Sequence, residues 1–525
     1  MKKKIFIYDT TLRDGAQSPK VTLSLEDKLV IAKKLDEAGI DYIEGGWPLK
    51  GVNLLDCDFF KKVKKLGLKN SKIAAFGSTR RAKNKVQDDP IVASLIEAGT
   101  PVVTIFGKSW LLHVDKVLKI SPEENLKLIY ETVAYLKDRK KEVIFDAEHF
   151  FDGYKDNPEY AMNCLKAAES AGADCLCLCD TNGGTLTSEA LKIVGEACVS
   201  SKAKIGIHTH NDADLAVANS LAAVEAGAVM VQGTMNGFGE RAGNANLISI
   251  VPALSFKMGF ETLPQKSLKK LTELSHYVYE VANIPPADNQ PYTGKSAFAH
   301  KAGVHADAMM KDDRAYEHMT PELVGNERQI LVTNQAGVSS LLFKAKKWGI
   351  KLEKDDPRAK EFLAKIKKME QEGYEFEGAD ASLNLFLKKN LTKYKKFFEL
   401  KGLRVIVEER EGELFSEATI KIMVNGALEH TAAEGAGPVN ALDNALRKAL
   451  VKFYPQIKDM RLVDFKVRVV EGTGGTSANV RVLIENSDKT DVWTTVGVSE
   501  NIIEASWIAL VDGVEYKLLK NRKDR

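Results

Sequence analysis

The sequence predicts an α/β protein: a (β/α)8 barrel of the TIM type, then helical linker subdomains, then a C-terminal α+β domain built from two βββα units. Three observations predict it. Short apolar runs of strand character alternate with amphipathic segments through residues 1–265. Helical segments there end on Ala-Gly and lead straight into the next run, as strand–helix–strand units require. Residues 396–525 contain a weak internal repeat with a different element order.

The apolar runs are IFIYD (5–9), DYIEGG (41–46), KIAAFG (72–77), PVVTIFG (101–107), EVIFDAEHF (142–150), DCLCLCD (174–180), KIGIHTHND (204–212) and VMVQGTMNG (229–237). Eight of them in about 250 residues fit a closed barrel. An open doubly wound sheet is the alternative, but no G-x-G-x-x-G follows the first run. The segment 24–39 predicts a helix with Ser24 as N-cap, Asp27 three residues on, and Gly39 at the end. Residues 266–395 read as mostly helical, with helices broken at Gly373 and Gly378 and a loop-rich stretch holding His300 and His305. In 396–525 each copy of the repeat offers three strands and a helix. GTGGTSA (472–478) reads as a hairpin connection, with an anion nest as the alternative.

The chain has 525 residues, 44% hydrophobic and 28% charged, with a net charge of +3. That balance suits a globular protein with a large core and gives no electrostatic reason to expect nucleic acid as a partner. No window approaches the roughly 18 apolar residues of a membrane span. The basic, then apolar N-terminus breaks off at Asp9, too soon for a signal peptide, so a cytoplasmic protein is expected. Cys175, Cys177 and Cys179 alternate and therefore share one face of a strand. They read as small core residues in a reducing compartment rather than as a metal site.

In a barrel of this kind the active site lies at the C-terminal ends of the strands. Polar residues gather there: Asp9, Arg13 and Asp14 after the first run, Glu44 on the second, Glu148 and His149 on the fifth, Asp180 and Thr181 after the sixth, His208 and His210 on the seventh, Asn236 and Asn244 after the eighth. His208 and His210, two apart, aim at one volume. With a carboxylate from the first strand they form a two-histidine, one-carboxylate set. Asp14 is preferred, because Asp9 lies within its strand. Such a set suits Mg, Mn, Zn or Co and leaves positions open for the carboxylate and carbonyl oxygens of a 2-keto acid. Arg13 is suited to a developing alkoxide or enolate, and Glu148 to proton removal or to orienting a base.

YDTTLRDGAQS (8–18), HTHND (208–212), GTMNGFGERAGNANL (233–247) and KAGVHADAM (301–309) together resemble the family of 2-isopropylmalate, homocitrate and citramalate synthases. EGGWP (44–48) and YEHMTPELVGNER (316–328) look most like its citramalate branch. The resemblance implies condensation of acetyl-CoA with a 2-keto acid, pyruvate for that branch, followed by thioester hydrolysis and release of CoA. The R product and a place in isoleucine synthesis are implied too. Asp14, His208 and His210 match the metal ligands, and Asn244 a position that ligates in some relatives. Arg13 matches the residue that stabilises enolate and alkoxide, Glu148 the catalytic carboxylate, and Thr181 the residue that binds the keto-acid carboxylate. Gln17 lies in the Arg13 loop and is placed with the substrate. His305, Asp307 and Tyr316 match linker residues that complete the site, commonly from a partner subunit, so a homodimer is implied. The C-terminal domain resembles a feedback module, with isoleucine as the expected inhibitor.

Trp47, Phe76, Phe106 and Asp146 are candidate walls of the keto-acid pocket, and Asp146, odd in an apolar wall, is expected to pair with a cation. Longer keto acids, as in isopropylmalate or homocitrate synthesis, are the first alternative. A metal-dependent acyl-CoA lyase is the second, disfavoured because NGFGERAGNAN lacks a cysteine. A regulatory amino-acid-binding protein with an inactive barrel is the third, disfavoured by the complete metal set.

Overall fold

The computed structural model describes residues 2–301, 303–332, 337–470 and 478–520. GTGGTSA, apart from Ala478, lies outside them. The eight apolar runs form strands β1 (Phe6–Asp9), β2 (Tyr42–Gly46), β3 (Lys72–Ser78), β4 (Val102–Lys108), β5 (Glu142–Glu148), β6 (Cys175–Asp180), β7 (Lys204–Thr209) and β8 (Met230–Gly233). They close into a barrel in sequence order, with β1 pairing β8 in parallel. The predicted fold class is the observed one.

The local reasons are legible. Helix α1 (Leu25–Ala38) starts on a capping box in which Ser24 and Asp27 exchange bonds, and ends on Gly39 at φ 86°, a left-handed position that favours glycine. Outward residues of the strands pack on the helices, with Ile7, Ile43, Val103, Phe145 and Ile207 fully buried. The inward face is a second, smaller cluster of Tyr8, Tyr42, Ala74, Val102, Ile144 and the three alternating cysteines. Burial keeps those cysteines as thiols, Cys179 being pushed up to about 11. They do the work of small apolar residues, as the sequence reading held.

The chain divides into two compact units: residues 1–298 with 319–328, and residues 299–318 with 329–525. The second unit opens with the short parallel pair β9 (Ala299–His300) and β10 (Gln329–Ile330). GVHADAMMK, read as part of a loop-rich stretch, is a helix over Gly303–Lys311. Helices Val338–Lys347, Pro357–Gln371 and Asp380–Leu391 follow. The internal repeat is realised as two antiparallel sheets: β11 (Glu399–Arg410), β12 (Glu413–Val424) and β13 (Ala427–Gly435), then β14 (Arg461–Val469), β15 (Val480–Ser487) and β16 (Val492–Ser499). Each is followed by its helix, Pro438–Leu450 and Ile502–Lys520, and one core joins both copies through Ile420, Leu446, Ile484 and Leu510.

Candidate metal centre and active site

After β1 the chain turns at once. The amides of Arg13 and Gly15 donate to the Thr10 carbonyl at 3.1 and 3.0 Å. Asp9 fixes the turn by accepting from the Thr11 amide and hydroxyl at 2.9 and 2.8 Å. The turn delivers Asp14, buried, to His208 on β7 and His210 just beyond it. Its Oδ2 lies 3.3 Å from His208 Nε2 and 3.9 Å from His210 Nε2. The two Nε2 atoms are 3.2 Å apart.

The loop after β8 closes the group from the other side. A backbone bridge joins His210 to Asn244, and the Asn244 amide group donates to Asp14 Oδ2 at 2.8 Å. Asn244 Oδ1 is buried without a hydrogen-bond partner. The loop needs glycine here, since a Cβ on Gly239 would lie 1.9 Å from Asn244 Oδ1. One carboxylate oxygen and two imidazole nitrogens thus lie within 4.8 Å of one another, all buried. This donor set, hard oxygen with neutral nitrogen and no thiolate, fits a divalent cation.

The electrostatics agree with that fit. Burial alone would raise Asp14, but the charges of Arg13 and His208 overrule it and hold the carboxyl well below its usual range. Burial together with the neighbouring His208 pushes His210 down to about 3, so the ring is neutral and one nitrogen has its lone pair free at neutral pH. Burial also opposes charge on His208, yet the bond to Asp14 wins and raises it above the ordinary histidine value. A cation entering between these groups therefore competes with a proton for His208.

Arg13 is held beside the centre. Its Nη1 lies 3.4 Å from Asp14 Oδ2, and its Nε donates to Glu44 Oε1 at 2.5 Å. Glu44 is fully buried and also accepts from the Tyr8 hydroxyl at 2.6 Å. The guanidinium stacks 3.8 Å from the Phe76 ring centroid. Phe76 stacks in turn on Phe106, and Trp47 sets its edge against both. Glu148, at the end of β5, is paired with Lys108, its register partner on β4. Thr181 accepts the His149 amide at 2.9 Å, and its own carbonyl accepts from Arg241 at 2.7 Å. Gln17 is exposed at the end of the short turn Gly15–Gln17.

Three predicted residues belong to the second unit. His305 and Tyr316 stack with centroids 4.1 Å apart. Asp307 pairs with Lys311 at 2.8 Å. His300, placed by the sequence in a loop-rich stretch, faces Glu317 at 3.3 Å.

Comparison with known proteins accounts for nearly the whole chain. Residues 4–278 match the HMGL-like family model, 292–374 the homocitrate synthase post-HMGL domain-like model, and 377–518 the LeuA allosteric (dimerisation) domain. An (R)-citramalate synthase of Aquifex aeolicus is 56% identical over 100% of this chain and 99% of its own length. The chain belongs to the citramalate synthase family. A second (R)-citramalate synthase, from Geobacter sulfurreducens, is 55% identical over 98% of both chains. A 2-isopropylmalate synthase of Methanocaldococcus jannaschii is 32% identical over 99% of this chain and 96% of its own. Citramalate synthases are condensing acyltransferases, and this chain is an enzyme of that type.

For a citramalate synthase, three polar residues around the centre went unread in the sequence: Tyr8, Lys108 and Gln232. Gln232 pairs in register with His208, and a lone glutamine inside VMVQG was the signal that could have found it. It also corrects the reading of Asp146. That side chain is no apolar-pocket wall seeking a cation: its Oδ1 accepts from Gln232 Nε2 at 2.9 Å. Burial, with Glu44 nearby, pushes its carboxyl up to about 7. Asp146, Cys177 and Cys179 form a second buried group with metal-ligand spacing, in which burial pushes both thiols up.

Proposed function

We propose that this enzyme condenses pyruvate with acetyl-CoA and water to give (R)-citramalate and CoA, in isoleucine biosynthesis. One observation carries the reading: Asp14, His208 and His210 converge beside Arg13 in a chain 56% identical to an (R)-citramalate synthase along its whole length. Identity to the 2-isopropylmalate synthase is only 32%.

We assign Asp14, His208 and His210 as ligands of a divalent cation of the Mg, Mn, Zn or Co kind, with Asn244 joining when its amide turns to present Oδ1. When bound, such an ion supplies Lewis-acid polarisation of the keto carbonyl and a docking point for the keto-acid carboxylate. The chain does the rest. Thr181 and Gln17 orient the keto acid. The aromatic face of Phe76, Phe106 and Trp47 bounds the side of the pocket where pyruvate carries only a methyl group. A few methylenes there are worth about 1–3 kcal/mol each in discrimination.

Glu148 takes a proton from the acetyl methyl, directly or through a group it orients. The methyl carbon then bonds to the keto carbon, whose oxygen gains the electron pair and afterwards a proton. Arg13, fixed by Glu44 and Tyr8, places its permanent charge where the enolate and alkoxide develop. Water then cleaves the thioester and CoA leaves as the thiol. For His305, Asp307 and Tyr316 we propose the completing roles that the family resemblance implies, in a homodimer.

We further propose feedback by isoleucine in the C-terminal unit. A cavity of about 740 Å³ there is lined by Asp443, Arg447, Val451, Ile457, Met460 and Phe465. Asp443 and Arg447 pair with each other at 2.7 Å beside its apolar lining, a mix of charge and apolar surface that suits an amino acid with an aliphatic side chain. Absence of isoleucine binding in calorimetry would remove this proposal. A reducing cytoplasm is the compartment we propose, since all six cysteines are free. Among the described residues, no helix is long and apolar enough to cross a membrane.

CoA release measured with pyruvate, 2-oxobutyrate, 2-oxoisovalerate and 2-oxoglutarate, with and without EDTA, tests the main reading. Pyruvate should be preferred, and EDTA should abolish turnover. A tenfold preference for 2-oxoisovalerate would overturn the choice of substrate.

A further inference from the structure

We infer that Asp146 and Gln232 are positioning residues that set the tautomer of His208 and so aim its Nε2 lone pair at the cation site. The inference rests on the reading of Asp14, His208 and His210 as ligands. Its basis is a buried chain that spans the inside of the barrel from β5 to β8 to β7. Asp146 Oδ1 accepts from Gln232 Nε2 at 2.9 Å, and Gln232 Oε1 lies 3.0 Å from His208 Nδ1. All three side chains are more than nine-tenths buried.

The logic is one of donors and acceptors. A glutamine amide has one donating end and one accepting end. Asp146 Oδ1 is the acceptor in this pair and holds the NH2 end of Gln232. The carbonyl end is left facing His208, and a carbonyl accepts only. His208 Nδ1 must therefore carry a hydrogen, which leaves Nε2 as the nitrogen able to ligate. Nε2 is the atom directed at Asp14 Oδ2 and at His210 Nε2. An outer hydrogen bond of this kind also fixes the ring plane and raises the ring's basicity as a ligand.

The register shows why this costs the fold little. Gln232 pairs with His208 on the neighbouring strand and with Tyr8 on the other side. Asp146 is the register partner of Cys177. The small inward cysteines, together with Gly206, leave the barrel interior open enough for the glutamine to reach across. His210 has no such support, since its Nδ1 is buried without a partner. The two histidines are therefore unequal, and His208 is the pre-oriented one.

The test is Mn²⁺ affinity of the full-length protein, read from the free-ion electron paramagnetic resonance signal. Gln232→Met keeps shape but removes both polar ends, and should weaken Mn²⁺ about 10–100-fold. Gln232→Glu, which retains an acceptor for Nδ1–H, and Asp146→Asn, which retains one for the amide, should both stay within about threefold of wild type. Gln232→Met with unchanged Mn²⁺ affinity would overturn the inference. So would equal loss in Gln232→Glu.

A second readout needs no damaging variant. In the Zn²⁺-loaded wild type with ¹⁵N-histidine, the signal that disappears in His208→Asn should show a proton on Nδ1 and none on Nε2; the reverse would overturn the inference. A wild-type protein that binds no Mn²⁺ would remove the metal reading itself along with this one. Intact Mn²⁺ binding with an indifferent Gln232 would remove this one alone.

Discussion

The barrel mouth and the C-terminal sheets meet opposite problems. At the mouth, charged groups are buried and nearly all are spoken for: Arg13 by Glu44 and Asp14, Glu148 by Lys108, Asp146 by Gln232. In the C-terminal unit, apolar groups are left uncovered. On β14, Phe465 and Val467 share a sheet face with their register partners Ile484 and Val482. The partners are fully buried, while Phe465 and Val467 are 36% and 42% exposed. Leu414 on β12 is 75% exposed. The last helix packs on β15 and β16 and leaves β14 partly bare. One region buries charge by pairing it, while the other leaves apolar side chains on its surface. The difference separates metal binding from assembly: changes at the mouth should abolish metal binding without altering assembly, and changes on the sheets should alter assembly while sparing metal binding.

The largest expected break is at the ligands. Asp14→Ala should cost more than about 10³-fold in CoA release and abolish Mn²⁺ binding, with an unchanged sedimentation coefficient. Next comes Arg13→Ala. Removing a charge aimed at a developing oxyanion should cost about 10²–10³-fold in turnover while Mn²⁺ still binds. Normal activity in that variant would take Arg13 out of the mechanism. The counterpart on the sheets is Phe465→Asp combined with Val467→Asp. It should shift the proposed homodimer to monomer in sedimentation velocity, while Mn²⁺ affinity stays within about twofold.

A finer probe uses pH. Asp14 holds the His208 value above that of ordinary histidine, so a proton competes with the cation there. Mn²⁺ affinity should therefore climb about tenfold per unit as pH rises toward the His208 value, then level off. The smallest effect concerns stability. Burial pushes Asp9 from 3.8 up to about 7. Between those values the folded state holds a proton that the unfolded chain has lost. Stability contributed at this site is thus highest at low pH, falls as pH rises from about 4 to 7, and is flat beyond. Asp9→Asn should flatten the thermal midpoint across that window.

The barrel and the paired β-sheets were legible because periodicity and turn residues are local signals. The i, i+2 spacing put His208 and His210 on one face, and the position of Asp14 just beyond β1 supplied the carboxylate. Less legible was whatever depends on contacts across the barrel. Asp146 looked like a misplaced pocket residue, because its partner Gln232 is 86 residues away in sequence. Lys108 sits on an unremarkable strand end and acquires meaning only from its register with Glu148. The helix Gly303–Lys311 was hidden by two glycines and a polar lead-in, which imitate a loop.

The most direct test of the central claim is anomalous diffraction from crystals of the full-length enzyme grown with Mn²⁺. The account predicts a strong peak enclosed by Asp14 Oδ2, His208 Nε2 and His210 Nε2. A peak at another set of residues, or none at saturating Mn²⁺, would contradict it.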